Sequence, residues 1–244
     1  MALFTMETSP IKSIIFLLTL FIDFNLSLAF GWVDETHLAI AKAAGYYKWY
    51  NSAGADITKI KAGCIEQYNH YFNNNNNVEV TPEMVLSQIK RYNHSYDTEG
   101  HLYGAIIASL RDYKVSTQKG TYGEYHLAFC ANYVGDLSQP FHNTPYDDFN
   151  KTHHARNDLI IGHEVLNNIA EIKKYMYPIE LRPKHFEKDL SKQIARIANL
   201  SRHLGYKLKK EKRDMTKKEA YTQVGHSASL FKAILKYFGT SQEG

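Results

Sequence analysis

The sequence predicts an all-α protein folded as a single multi-helix domain. Three observations predict it. Apolar residues recur at three- and four-residue spacing in stretch after stretch beyond position 33, which lines one face of a helix. Helix punctuation (Asp, Pro and Gly at the stretch ends) frames those segments. No segment alternates apolar and polar residues as a half-buried strand does. A length of 244 residues suits one sizeable domain with a complete core.

The elements follow in order. Lys12 precedes an apolar run from Ile14 to Phe21, and a second apolar stretch ends at Ser27-Leu28-Ala29-Phe30-Gly31. That is the layout of a secretory signal peptide over residues 1–31. Asp23 interrupts the run and leaves it short for a membrane span. Cleavage after Ala29 or after Gly31 is compatible with the pattern, and the second cut makes Trp32 the new N-terminus; an uncleaved anchor is the alternative. The expected location is secreted or periplasmic. Asp34 caps a first helix through His37, Leu38, Ile40 and Ala44, ending near Gly45. Residues 73–77 are five asparagines, a low-complexity surface loop. Pro82 opens a second helix through Met84, Val85 and Ile89. Leu102, Ala105, Ile106 and Leu110 mark a third. A fourth covers 123–138 and is stopped by Gln139-Pro140. A fifth runs from about 154 to 175, a sixth is marked by Ile194, Ile197 and Leu204, and a last one carries Val224, Leu230, Phe231, Ile234 and Leu235.

The formal net charge is +4, too mild to announce nucleic acid by itself and compatible with an anionic substrate. The basic run Lys207 to Arg213, with Lys217 and Lys218 beyond it, suits either a solvated helix end or a phosphate-bearing or membrane surface. Cys64 and Cys130 leave open one disulfide or two buried thiols. Asn93, Asn150 and Asn199 head glycosylation sequons.

The chemistry concentrates between Asn132 and Asp158. The string Asn132-Tyr-Val-Gly-Asp136-Leu-Ser-Gln-Pro140-Phe-His142 is followed by His153-His154-Ala-Arg-Asn-Asp158. Asn132 and Asp136 share a helix face, and His154 and Asp158 repeat that spacing on the next helix. His142 lies just past the Pro140 break, where its side chain can turn back towards both. Imidazole nitrogens and carboxylate oxygens meeting at short range suit Zn²⁺. Taken singly, a His-x₃-Asp pair is more often a surface contact; the combined string is far more specific.

These residues resemble the superfamily that joins bacterial zinc-dependent phospholipases C to the single-strand-specific zinc nucleases of fungi and plants. The resemblance implies an all-α domain, residues 32–244, with a metal cleft between helices and up to three zinc ions. Asp136 is then the carboxylate bridging metals and the catalytic residue, and His142, His154 and Asp158 ligate one zinc. Trp32 would bind through its terminal amino group and carbonyl, and His37 follows at the nuclease-like spacing. His94-Ser-Tyr-Asp97 is similar to a ligand segment of the phospholipases and nominates His94. Ala62-Gly63-Cys-Ile-Glu66 is similar to a segment that holds an aspartate and nominates Glu66. Where the family has histidine, this chain has Asn132, whose amide oxygen is a weak zinc ligand, so one site is expected to be weakened.

The expected function is a secreted zinc phosphoesterase, phospholipase C-like, in which a metal-bound hydroxide attacks a phosphodiester. A single-strand nuclease of the same superfamily and a non-catalytic zinc-binding relic are the alternatives. Expected partners are a phospholipid or nucleic-acid substrate and a peripheral membrane contact, with no obligate protein partner.

Overall fold

A computed structural model describes residues 32–62 and 64–240. The expected signal peptide lies outside the described residues. The chain is all-α, with several helices packed in one domain and no strand among the described residues. No helix among them is long and apolar enough to cross a membrane.

Helix α1 (Asp34–Ala44) starts on Asp34 and Glu35, which favour its positive end. It stops at Gly45, whose φ of 85° lets its N–H close back onto Ala41 and Lys42 carbonyls. Val33, not Asp34, occupies the cap position, with no side-chain bond. Two short helices follow, α2 (Gly54–Ala62) and α3 (Cys64–Gln67), then α4 (Pro82–Gln88), capped by Thr81 with Pro82 in its first turn.

The centre is the pair α5 (Leu102–Gln118) and α6 (Glu124–Leu137). From Leu127 onward α6 is buried on almost every side, the pattern of a helix enclosed by others. Around it close α10 (Phe186–Glu211) and α11 (Lys217–Phe238), the latter opened by a Thr216/Glu219 capping box. Leu102, Ile106, Leu127, Tyr133, Leu137, Ile194 and Phe231 belong to one apolar cluster. Trp32, Ile40, Phe141, Val165, Ile172, Leu208 and Val224 belong to a second. Neighbouring residues of α1 serve different clusters, Ala41 the first and Ile40 the second.

The single helix expected over 154–175 is instead three: α7 (Asp148–Asp158), α8 (Gly162–Val165) and α9 (Ile169–Lys174). Asparagines explain the breaks, because their amides bond elsewhere and compete with helix propagation. Asn157 is drawn to the Met215 N–H and to Asp214, and Asn168 bonds back to the Glu164 carbonyl. Helices α2 and α3 had no counterpart among the expected elements.

Candidate metal centre

Asp136 sits on α6 with no exposed surface, and three histidines from separate segments face its carboxylate. His70 Nδ1 lies 2.8 Å from Oδ2, and His37 Nε2 and His142 Nδ1 lie 3.4 and 3.6 Å from Oδ1. Burial alone would push the Asp136 carboxyl up. The charges of His142 and His37, with the hydrogen bond from His70, outweigh it and hold the group well below the usual carboxylate range. His37 reaches this point because α1 crosses α6 at Gly135. A Cβ there would stand 2.4 Å from His37 Nδ1 and 2.8 Å from Cε1.

A second set of donors lies beside the first. His142 Nε2 and His154 Nε2 are 3.0 Å apart, and His154 Nε2 is 3.5 Å from Asp158 Oδ2. The edge of a tetrahedron with bonds of about 2.0–2.1 Å is about 3.3 Å, and these two spacings lie on either side of it. Each group is oriented from behind, as metal-binding imidazoles are. His142 Nδ1 donates to the His70 carbonyl, and His154 Nδ1 to Asn150 Oδ1 at 2.9 Å, which turns both Nε2 atoms inward. Gln139 Nε2 holds Asp158 Oδ1, while Gln139 Oε1 accepts from the Phe141 N–H at 2.5 Å. Burial, outweighing the Gln139 bond, raises the Asp158 carboxyl well above its usual range.

The 135–142 string thus has a task at nearly every position. Gly135 admits His37, and Asp136 gathers the histidines. Ser138 accepts from the buried Trp32 indole at 3.4 Å, Gln139 orients Asp158, and Phe141 packs on the His154 ring.

Helix α2 contributes residues that the motif reading missed. Asp56 is 4% exposed, and its Oδ2 is 3.5 Å from His37 Nε2 while its Oδ1 is 3.6 Å from His70 Nδ1. Lys59, one turn on and 5% exposed, donates to Asp56 Oδ1 at 2.9 Å. Asn132 Nδ2 donates to Asp56 Oδ2 at 2.8 Å and to the Ser52 carbonyl at 3.1 Å. Burial of Asp56 is overcome by Lys59, His70 and His37, and its carboxyl lies below the ordinary value.

Of the eight nominated ligands, His37, Asp136, His142, His154 and Asp158 come together, with Trp32 against Ser138 at their edge. Glu66 and His94 do not join Asp136. Glu66 accepts from the Tyr133 hydroxyl at 2.5 Å and from Asn69 at 3.1 Å, and stands 3.4 Å behind His70 Nε2. The carboxylate brought against His37 and Asn132 is Asp56. His94 is exposed in the loop after Ile89–Arg91, and the neighbouring Asp97 is tied up by Arg91 and His101. The histidine that reaches Asp136 from this part of the chain is His70, held in the turn after α3. His153 turns the other way, to Asp214 at 2.5 Å and flat against Phe149, leaving the inward place to His154.

A pocket of about 220 Å³ opens beside the cluster between Trp32, Val33, Asp34, Glu35 and Asp56. Its three carboxylates make the mouth acidic. Larger grooves along Pro183–Lys188 and Pro178–Pro183 hold no comparable histidine–carboxylate cluster. The basic run is laced with acids: Lys207 and Arg213 pair with Glu219, Lys209 with Asp147 and Lys217 with Glu164. Two sequon asparagines are engaged inside the fold, Asn150 by the Phe141 and Pro145 carbonyls and Asn199 by both backbone groups of Val80. Cys130 is a buried free thiol, and burial pushes its pKa up to about 12.

Among the described residues, no group of three or more His, Cys, Asp or Glu side chains stands placed to hold a metal ion. The inward donors are instead hydrogen-bonded or ion-paired to one another. No protein-family model, curated protein or solved structure matches the chain.

Proposed function

We propose that the chain is a zinc-dependent phosphoesterase that hydrolyses phosphodiester bonds, with phospholipid as its leading substrate class. The observation that supports this reading is a knot of buried polar atoms without hydrogen-bond partners around Asp136. His37 Nδ1 and Nε2, His70 Nε2, Asn132 Oδ1 and Asp136 Oδ1 are all in this state. Leaving such an atom unsatisfied costs about 1–3 kcal/mol, so several in one place ask for a ligand.

The donors fit cations at two positions. His142, His154 and Asp158 would hold one ion, and His37 with Asp136 a second, beside Trp32. Bound there, zinc would lower the pKa of a coordinated water and neutralise charge on phosphorus. The residues of the chain supply the rest. Gln139 and Asn150 fix the aim of Asp158 and His154, and Gly135 sets the depth of His37. Asp136 keeps its charge where the two positions meet. Asp34 and Glu35 at the mouth repel an anionic phosphodiester, so substrate entry depends on bound cations. The exposed isoleucines of α2, Ile57 and Ile60, offer an apolar face that supports a lipid substrate.

The test is turnover by the purified chain, and by a version beginning at Trp32, on phosphatidylcholine vesicles and on single-stranded DNA. Hydrolysis of the vesicles that stops on chelation and returns with zinc is expected. Preferential cleavage of DNA would move the assignment to the nuclease reading, and hydrolysis indifferent to chelator would overturn the metal requirement.

A further inference from the structure

The third expected metal position, nominated as Glu66, His94, Asn132 and Asp136, is lined in the structure by Asp56 and His70 in place of the first two, and it does not fit an ion. Both Asp56 oxygens already accept from the chain, Oδ1 from Lys59 and Oδ2 from Asn132. Asp136 Oδ2 accepts from His70. The Asn132 amide faces Asp56 with its donor side, since an ionised carboxylate can only accept. The amide thus spends its donor on the carboxylate a metal would need, and its unpartnered Oδ1 leaves only a single weak, neutral ligand where an imidazole was expected.

Lys59 makes the same point independently. It is a buried ammonium on the helix face that carries Asp56, and Asp136 and Asp158 also act on its charge. A buried carboxylate needs a nearby positive charge, and a buried ammonium needs a carboxylate. Each supplies the other here without a divalent ion. A zinc ion entering this position would have to displace the ammonium or sit beside it against direct repulsion.

We infer that the Lys59 ammonium is the resident cation of this position, clamped with Asn132 onto Asp56, and that the cluster takes at most two metal ions. The absent imidazole at 132 and the buried amine at 59 are two halves of one exchange. The inference deepens the metal-dependent reading, but it depends on that reading only for the two remaining positions.

The experiment counts zinc in the full chain after loading with zinc chloride and gel filtration, with folding followed by circular dichroism. Wild type is compared with a Lys59→Met, Asn132→His double variant. One additional equivalent of zinc in the folded double variant is expected. In parallel, lysines of wild type are acylated with an amine-reactive ester and mapped by mass spectrometry, with and without zinc. Lys59 is expected to stay protected in both states, a readout that holds even if the double variant fails to fold. Zinc-induced acylation of Lys59 in wild type, or a folded double variant that gains no zinc, overturns the assignment. Wild type without zinc or turnover, alongside a gain of one equivalent in the variant, removes the phosphoesterase reading and leaves Lys59 as the resident cation.

Discussion

Gly135→Ala is the sharpest single perturbation of the proposed centre. In an exposed helix the change would be favourable by about 1 kcal/mol, because alanine restricts the unfolded chain. At this crossing the new Cβ would stand 2.4 Å from His37 Nδ1 and 3.5 Å from Ile40 Cδ1. His37 is fully buried, so its ring has no solvent to retreat into. Restoring ordinary contact requires a shift of about 1 Å, and overpacking of this kind costs about 1–3 kcal/mol. The two effects leave a net loss of about 0–2 kcal/mol, readable in urea unfolding. The functional effect has no such offset. His37 Nε2 stands 3.4 Å from Asp136 Oδ1 and 3.5 Å from Asp56 Oδ2, and the shift removes it from both. Displacing a working group by 1 Å can lower turnover about 100-fold. Zinc titration by calorimetry should show the His37–Asp136 position weakened while the His142–His154–Asp158 position is retained. A variant that is about 1 kcal/mol more stable and binds zinc unchanged would refute the placement of His37.

Two further predictions concern groups behind the site and far from it. Asn150→Ala strips the Phe141 and Pro145 carbonyls of a donor and His154 of its orienting acceptor. Unfolding should show a loss of about 1–3 kcal/mol, and zinc affinity should fall by about 10–100-fold, as when an orienting partner of a metal ligand is removed. His226 is expected to shape the acid limb of stability, because burial, with Arg196 nearby, lowers its pKa to about 4 from the ordinary 6.5. Between those values the unfolded chain binds the extra proton, so this contribution is complete above about pH 6.5 and disappears as the pH falls towards 4. The urea midpoint of His226→Asn should therefore drop less than that of wild type between pH 7 and pH 4.5; equal drops would remove His226 from the account.

Most of the scaffold was legible because its helices obey local rules. Helices α1, α4, α5, α6, α10 and α11 carry apolar residues at helical spacing, and Gly45, Pro82 and Pro140 punctuate them as expected. The 154–175 segment kept helical periodicity across breaks that show only in the tertiary bonds of Asn157 and the local back-bond of Asn168. The nominated residues in and beyond α6 were legible for the same local reason. The positions of Asp136, His142, His154 and Asp158 follow from four-residue spacing and a single proline break. His70 was not legible, since it stands in a turn with no periodicity and meets Asp136 only through folding.

Helix α2 escaped notice for a reason that bears on function. Amphipathic helices bury their branched residues, and a reader of patterns looks for that face. Helix α2 does the reverse: Ile57 and Ile60 are 54% and 60% exposed, while Asp56 and Lys59 are 4% and 5% exposed. Fully burying an isoleucine is worth about 1.5–3 kcal/mol, and burying a charged pair gives no dependable gain in return. A helix turned for stability alone would present its isoleucines to the core. Holding Asp56 against His37 and Asn132 requires the opposite rotation, and Lys59, one turn on, is carried inward with it. The orientation of α2 therefore follows the charges of the cluster rather than its own apolar residues. Local rules and the observed fold part company where the candidate chemistry is concentrated.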